Sequence, residues 1–167
     1  MKSTQAIPTK IYSLPEMLMQ VKRWRLQNKK IVFTNGVFDI LHEGHIASLS
    51  EAASYGDVLV AAVNADASVK RLKGNNRPVN GQNARALLLA SLLMTDAVII
   101  FEEDTPQQLI AALQPDVLVK GGDYTIEEIA GATEVIAAGG QVKIAKIIDG
   151  VSTTAIIQKM KTINTTF

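Results

Sequence analysis

Five short, mainly apolar runs of Val, Ile, Leu, Ala and Phe recur along the chain, at residues 31–34, 58–63, 97–101, 117–119 and 142–148, broken only by Thr34, Lys143 and Lys146. Each is followed by a stretch with helical spacing. Runs this continuously apolar lack the in-and-out alternation of a half-exposed strand, so each strand is expected to be covered on both faces. Strands interleaved with helices in this way predict an α/β fold, a doubly wound five-stranded parallel sheet with helices on both faces.

The punctuation between the runs supports that reading. Ser13 and Glu16 have capping-box spacing, with Pro15 in the tolerant first turn and Leu18, Val21 and Trp24 or Arg25 at helical intervals. A second helix is expected from about His45 to Tyr55, closed by Gly56. Residues 68–82 are polar and basic and read as a long loop, before an apolar helix over 85–94. Thr105-Pro106 opens a further helix, which Pro115 stops. Thr125 and Glu128 repeat the capping-box spacing ahead of a helix to Ala138, and Ser152-Thr153-Thr154 opens the last one. The chain divides into an N-terminal helical extension, residues 1–29, and a domain over residues 30–167. The N-terminal helix, with its apolar stripe and Trp24, is expected either to cover the sheet or to mediate a homodimer or higher homo-oligomer.

Composition closes several routes. The 167 residues contain no cysteine, which removes thiolate catalysis and cysteine-held metal sites. The net charge is +1, so no global field advertises nucleic acid or an anionic membrane as partner. The basic cluster Lys22, Arg23, Arg25, Lys29 and Lys30 lacks interleaved aromatic residues and reads as a solvated helix face. No apolar stretch approaches the roughly 20 residues of a membrane span, and the polar start Met1-Lys2-Ser3-Thr4-Gln5 leads into no signal-like core, so a cytoplasmic protein is expected.

In an open parallel sheet, ligands bind beyond the carboxyl ends of the strands. The chain has two histidines, and both fall there, as His42 and His45 where the first strand run turns into a helix. Side chains three apart at a helix start can face the same way, and the free N–H groups of a helix start favour phosphate. Gly44 between them lets a ligand approach the backbone. The alternative is that His42 caps the helix and His45 is an ordinary surface histidine. Neither a Gly-x-Gly-x-x-Gly nor a P-loop pattern is present, and Thr154 breaks the Gly-x-Ser-x-Gly pattern after Gly150-Val151-Ser152.

The run Asn35-Gly36-Val37-Phe38-Asp39, followed by His42-Glu43-Gly44-His45, resembles the His-x-Gly-His signature of the cytidylyltransferase-like branch of the nucleotidyltransferases. The resemblance extends from about Lys30 to Lys161. It takes in Asn64-Ala65-Asp66, Leu72-Lys73-Gly74 with Arg77-Pro78, Arg85, Thr95-Asp96, Lys120-Gly121-Gly122-Asp123-Tyr124 and Gly150-Val151-Ser152-Thr153-Thr154. Within that branch these motifs look like the heptose 1-phosphate adenylyltransferases, whose bifunctional members carry a sugar kinase ahead of the transferase. With about 29 residues before the first strand, a stand-alone transferase is expected.

The resemblance implies a Rossmann-like nucleotidyltransferase domain. It would transfer AMP from ATP to a sugar 1-phosphate, D-glycero-β-D-manno-heptose 1-phosphate, for lipopolysaccharide or a related glycan. It implies that His42, His45 and Lys73 are catalytic, stabilising charge on the phosphates. Asn35, Gly36, Val37, Phe38, Gly44, Asn64, Asp66, Gly121, Ser152, Thr153 and Thr154 would bind the nucleotide. Asp39, Arg77, Arg85, Lys120 and Asp123 would face the acceptor. Mg²⁺ is expected with ATP, with unknown ligands. Such a site answers the chemistry: the attacking phosphate is already an anion near neutral pH, so positioning and charge stabilisation matter more than a strong base.

Two alternatives stand beside this reading. Glycerol-3-phosphate cytidylyltransferases share the histidine and Ser-Thr-Thr elements but carry an Arg where this chain has Ile147. A nucleotide-binding module that has lost the reaction is the other. A third and weaker one is an interaction protein using the basic N-terminal helix.

Overall fold

The computed structural model describes residues 4–146, 148 and 150–163. The chain runs β1 (Ile11–Tyr12), α1 (Leu14–Leu26), β2 (Ile31–Gly36), α2 (Glu43–Ala53), β3 (Val58–Asn64), α3 (Asp66–Lys73) and α4 (Gln82–Ala90). It continues through β4 (Ala97–Phe101), α5 (Gln107–Leu113), β5 (Val117–Gly121), α6 (Ala132–Ala137), β6 (Gln141–Ala145) and α7 (Thr153–Ile163). All strand pairs are parallel, in the order β1-β4-β3-β2-β5-β6.

Successive residues of each strand feed opposite faces. Ile31 and Phe33 enter one core with Met17 and Val21 of α1, Ile110 of α5 and Val135 of α6. Val32 enters the other with Leu49 of α2 and Ala86 and Leu89 of α4. Helices therefore cover both faces, and β3 is buried along its whole length because neither of its faces meets water, whereas the edge strand β6 is mostly exposed. Three aspartates set the amino edge of the sheet. Asp57, Asp116 and Asp96 accept the backbone N–H groups of Lys30, Ile31 and Leu59 at 2.8, 2.7 and 2.8 Å. Each stands just before a strand and ties its start to a neighbour.

The sheet has six strands rather than five. The added strand, β1, is too short to show a pattern in the sequence; it pairs with Val98 and Ile99 on the edge of β4, satisfying backbone groups there. α1 covers the sheet: Met17 and Val21 are buried in the first core, and Trp24 packs against it. Its capping box forms as the spacing predicts, with the N–H and Oγ of Ser13 donating to Glu16 at 2.8 and 2.6 Å. In the basic cluster, Arg25 donates to the carbonyls of Leu113 and Gln114 and so ties α1 to the end of α5.

Three helices differ from expectation. The stretch read as a loop over 68–82 begins with α3, whose buried face is only Ser68 and Val69, too narrow to give an apolar period. The apolar helix starts earlier and stops at Ala90, with Leu93 fully outside. The capping box at Thr125 and Glu128 forms, but it caps one 3-10 turn, Ile126–Glu128. Gly131, at φ +88°, breaks the chain before α6, so no single helix runs from Thr125 to Ala138. The last strand stops at Ala145, short of residue 148. Among the described residues, no helix is long and apolar enough to cross a membrane.

Candidate active site at the carboxyl end of the sheet

Strand order reverses at β2: the chain moves to β3 and β4 on one side, then returns to β5 and β6 on the other. A crevice opens where the outgoing loops part, the place expected for a ligand. Lys120 at the end of β5 spans it toward β2, its Nζ 3.5 Å from Asn35 Oδ1. Around this point lies a cleft of about 630 Å³, continuous with a smaller lobe of about 260 Å³. Asn35, Gly36, Val37, Phe38, His42, His45, Lys120 and Tyr124 line both.

The histidines sit at the start of α2. His42 occupies the N-cap position in an extended conformation, φ −144°, yet its side chain makes no capping bond. Its ring instead stacks on His45, with centroids 3.9 Å apart and planes 29° apart. Gly44 makes room for this: a Cβ there would lie 3.1 Å from Cε1 and Nδ1 of His42. Phe38 closes the other side of His45, ring centroids 5.4 Å apart. To do so its backbone takes φ +49°, a left-handed conformation that costs a bulky residue about 1–3 kcal/mol and is held by the surrounding packing.

Burial pushes the His45 imidazole down to about 4, with the charge of His42 adding to the effect. Burial also lowers His42, against an opposing pull from Glu43. Both rings are therefore neutral at pH 7. The Nδ1 atoms of both are buried without a partner. A buried lone pair is tolerated better than a buried orphan N–H, so the proton belongs on Nε2 of each ring, facing the cleft. Two N–H donors thus stand side by side above the sheet.

Cations surround them. Lys73, at the exposed end of α3, and Arg77 line the larger lobe. Burial lowers the proton affinity of Lys120, and the charge of Lys73 lowers it further. Ser152, Thr153 and Thr154 form the opposite wall. Ser152 Oγ accepts from Ala155 N–H at 3.1 Å, an N-cap of α7, so capping and cleft-lining coincide.

Several residues expected to touch ligand do other work. The Asp39 carboxylate is buried and accepts from Arg77 Nε at 2.6 Å and from the N–H groups of Val79 and Asn80 at 2.8 and 2.9 Å. It shapes the 77–80 loop, and Asp39 is also among the residues that line the larger lobe. Arg85 is 0% exposed: it donates to the carbonyls of Asn80 and Val37 and to Asp66 Oδ1 at 2.8, 2.6 and 2.7 Å. Neither Arg85 nor Asp66 lines the cleft; they fasten the loops after β2 and β3 to α4. Asp123 is exposed and lies outside both lobes. Gly121 and Gly44 line only the smaller lobe, and Asn64 only the larger one. Ile147 and Asp149 lie outside the described residues.

Other lining residues escaped the sequence reading. Tyr124, with Lys120 Nζ 5.9 Å from its ring centroid, was legible in the Lys-Gly-Gly-Asp-Tyr run. Ser48 and Lys146 of the smaller lobe, and Thr105 and Glu128 of the larger one, carry no local signal. Among the described residues, no group of three His, Asp or Glu side chains converges on a metal position. Of the carboxylates that line the larger lobe, Glu128 is engaged in its capping box and Asp104 in an ion pair with Arg71.

A stacked pair of neutral donors among cations suits the stabilisation of charge on phosphoryl oxygens. The cytidylyltransferase-like family model matches residues 33–159, and the chain belongs to that family: it is a nucleotidyltransferase with a Rossmann-like fold. It is 50% identical over 158 residues to the bifunctional protein HldE of Koribacter versatilis, covering 95% of this chain and 32% of that one. It is 57% identical over 141 residues to HldE of Yersinia enterocolitica, covering 84% of this chain and 30% of that one. The chain thus spans about a third of the length of the curated relatives it matches. Among solved structures it resembles the lipopolysaccharide core biosynthesis protein of Thermoplasma volcanium, with TM-score 0.59 and 32% identity, covering 72% of this chain and 97% of that one. A pantoate-β-alanine ligase from Francisella tularensis shares the fold at TM-score 0.59 and 13% identity, covering 90% of this chain and 76% of that one.

Proposed function

We propose that the protein transfers AMP from ATP to D-glycero-β-D-manno-heptose 1-phosphate, giving ADP-heptose and pyrophosphate for a lipopolysaccharide or related surface glycan. The observation that carries this reading is the His42–His45 pair, whose two Nε2–H donors face a cation-lined cleft at the switch point of the sheet. The similarity to bifunctional HldE proteins, and to a protein described as acting in lipopolysaccharide core biosynthesis, supports the choice of acceptor.

In this reading the nucleoside occupies the smaller lobe, where Gly44 and Gly121 keep the walls low. The triphosphate lies over the histidines toward Ser152, Thr153 and Thr154. The acceptor phosphate is drawn in by Lys73 and Arg77. One of its oxygens attacks the α-phosphorus in line; the new O–P bond forms as the bond from the α-phosphorus to the bridging oxygen of pyrophosphate breaks. The electron pair leaves on pyrophosphate, and Nε2–H of each histidine holds the growing charge. No proton has to leave the nucleophile, so neutral imidazoles suffice as donors. A magnesium ion arriving on the triphosphate would be held by phosphate oxygens and water.

The test is pyrophosphate release from purified protein given ATP, Mg²⁺ and heptose 1-phosphate. Turnover is expected. Silence with this pair, together with turnover of CTP and glycerol 3-phosphate, would transfer the assignment to the cytidylyltransferase reading. Calorimetric binding of ATP with no turnover of any acceptor would leave a binding module.

A further inference from the structure

Asn64 ends β3 and is 4% exposed, and it lines the larger lobe together with Lys73 and Arg77. Four residues on, inside α3, Ser68 is fully buried. Ser68 Oγ lies 3.0 Å from the carbonyl oxygen of Glu103 and 3.1 Å from Nδ2 of Asn64. A carbonyl oxygen has no proton, so the hydroxyl proton of Ser68 must go to Glu103. Its oxygen then offers only lone pairs to Asn64. The amide of Asn64 is thereby oriented: NH₂ inward to Ser68, Oδ1 away from it. Among the described residues Oδ1 has no protein partner, and it is not sealed from solvent. Reversing the amide would set two acceptors against each other in a buried place.

The larger lobe, which Lys73, Arg77 and Lys120 also line, therefore carries a neutral, fixed hydrogen-bond acceptor at Asn64. An amide oxygen repels a phosphate oxygen and takes a hydroxyl. We infer that Asn64, held in this orientation by Ser68, reads a hydroxyl group of the phosphorylated acceptor, so that the enzyme selects a polyol phosphate over an ester lacking a hydroxyl at that point. This rests on the proposed meeting of ATP and a sugar phosphate in the larger lobe. It moves Asn64 from the nucleotide side to the acceptor side, with Ser68 as a positioning residue.

The experiment compares wild type, Asn64→Leu and Ser68→Ala with ATP, heptose 1-phosphate and a panel of its monodeoxy analogues. Calorimetric Kd values for ATP on the same preparations report whether fold and nucleotide site survive. Both variants should raise the acceptor KM about tenfold, with the ATP Kd moving less than twofold. One deoxy analogue should be poor for wild type yet no worse than the parent sugar for Asn64→Leu. If the ATP Kd rises while the acceptor KM holds, or if every deoxy analogue keeps its wild-type deficit in Asn64→Leu, the inference is overturned though the proposed function stands. Wild type that releases no pyrophosphate with the parent sugar overturns both.

Discussion

Arg77 donates from Nε to the buried carboxylate of Asp39 at 2.6 Å, and the same carboxylate receives the N–H groups of Val79 and Asn80. One side chain from the loop after β2 thus organises a loop about 40 residues further on, and aims a cleft-lining cation. Burial by itself would raise the Asp39 pKa; the bonds from Asn80, Val79 and Arg77 outweigh it and hold the carboxyl below its usual range.

Asp39→Asn keeps the shape but removes the charge and sets an NH₂ against donors. It should destabilise the protein by about 1–3 kcal/mol, read as a lower urea midpoint, and raise the acceptor KM as Arg77 loses its anchor. An unchanged midpoint and KM would show that the loop holds itself.

His42→Ala and His45→Ala should each lower kcat by about 10²-fold or more, the size of a lost transition-state donor, with circular dichroism unchanged. Near-normal turnover in both variants would refute the catalytic assignment.

Acid should weaken the fold in a defined window. His45 titrates at about 4 in the native chain instead of near 6.5, and His42 is lowered too. As pH falls below about 6.5 the unfolded chain gains protons that the native site refuses, so stability declines toward pH about 4. Asp39, whose pKa is lowered, contributes its loss only at more acidic pH. The chain has no other histidine, so the slope of the urea midpoint between about pH 5 and 6.5 should vanish in the double variant His42→Asn with His45→Asn. A slope unaltered by that change would place the titration elsewhere.

Arg85→Met fills a similar volume while abandoning the carbonyls of Asn80 and Val37 and the carboxylate of Asp66. Equilibrium unfolding should show a loss of about 2–4 kcal/mol. A loss under about 1 kcal/mol would mean the loops after β2 and β3 hold without it.

The parts legible in the sequence are those whose physics is local. Residues 58–63 had to be a doubly covered strand because no residue there tolerates water, and Ser13 with Glu16 had to start a helix because their bonds close within one turn. The histidine pair was readable for the same reason, three residues apart at a strand-to-helix turn. The protein partners of Arg85 and Asp39 left no mark in the sequence, because charge there looks the same whether it meets ligand or protein. Ser48, Lys146, Thr105 and Glu128 were invisible because proximity across the cleft leaves no mark along the chain.

The amino-acid order alone determined the layered architecture and the place of the two imidazoles at the carboxyl end of the sheet, because hydrophobic period, capping and turn chemistry act over a few residues. Tertiary structure decided what each charged group does. Only folding buries Arg85 against Val37, 48 residues away, turns the carboxylate of Asp39 inward and brings Glu103 to Ser68 so that Asn64 faces outward. Those roles depend on which partner removes a charge or a lone pair from water, and the chain acquires those partners only when the sheet is assembled.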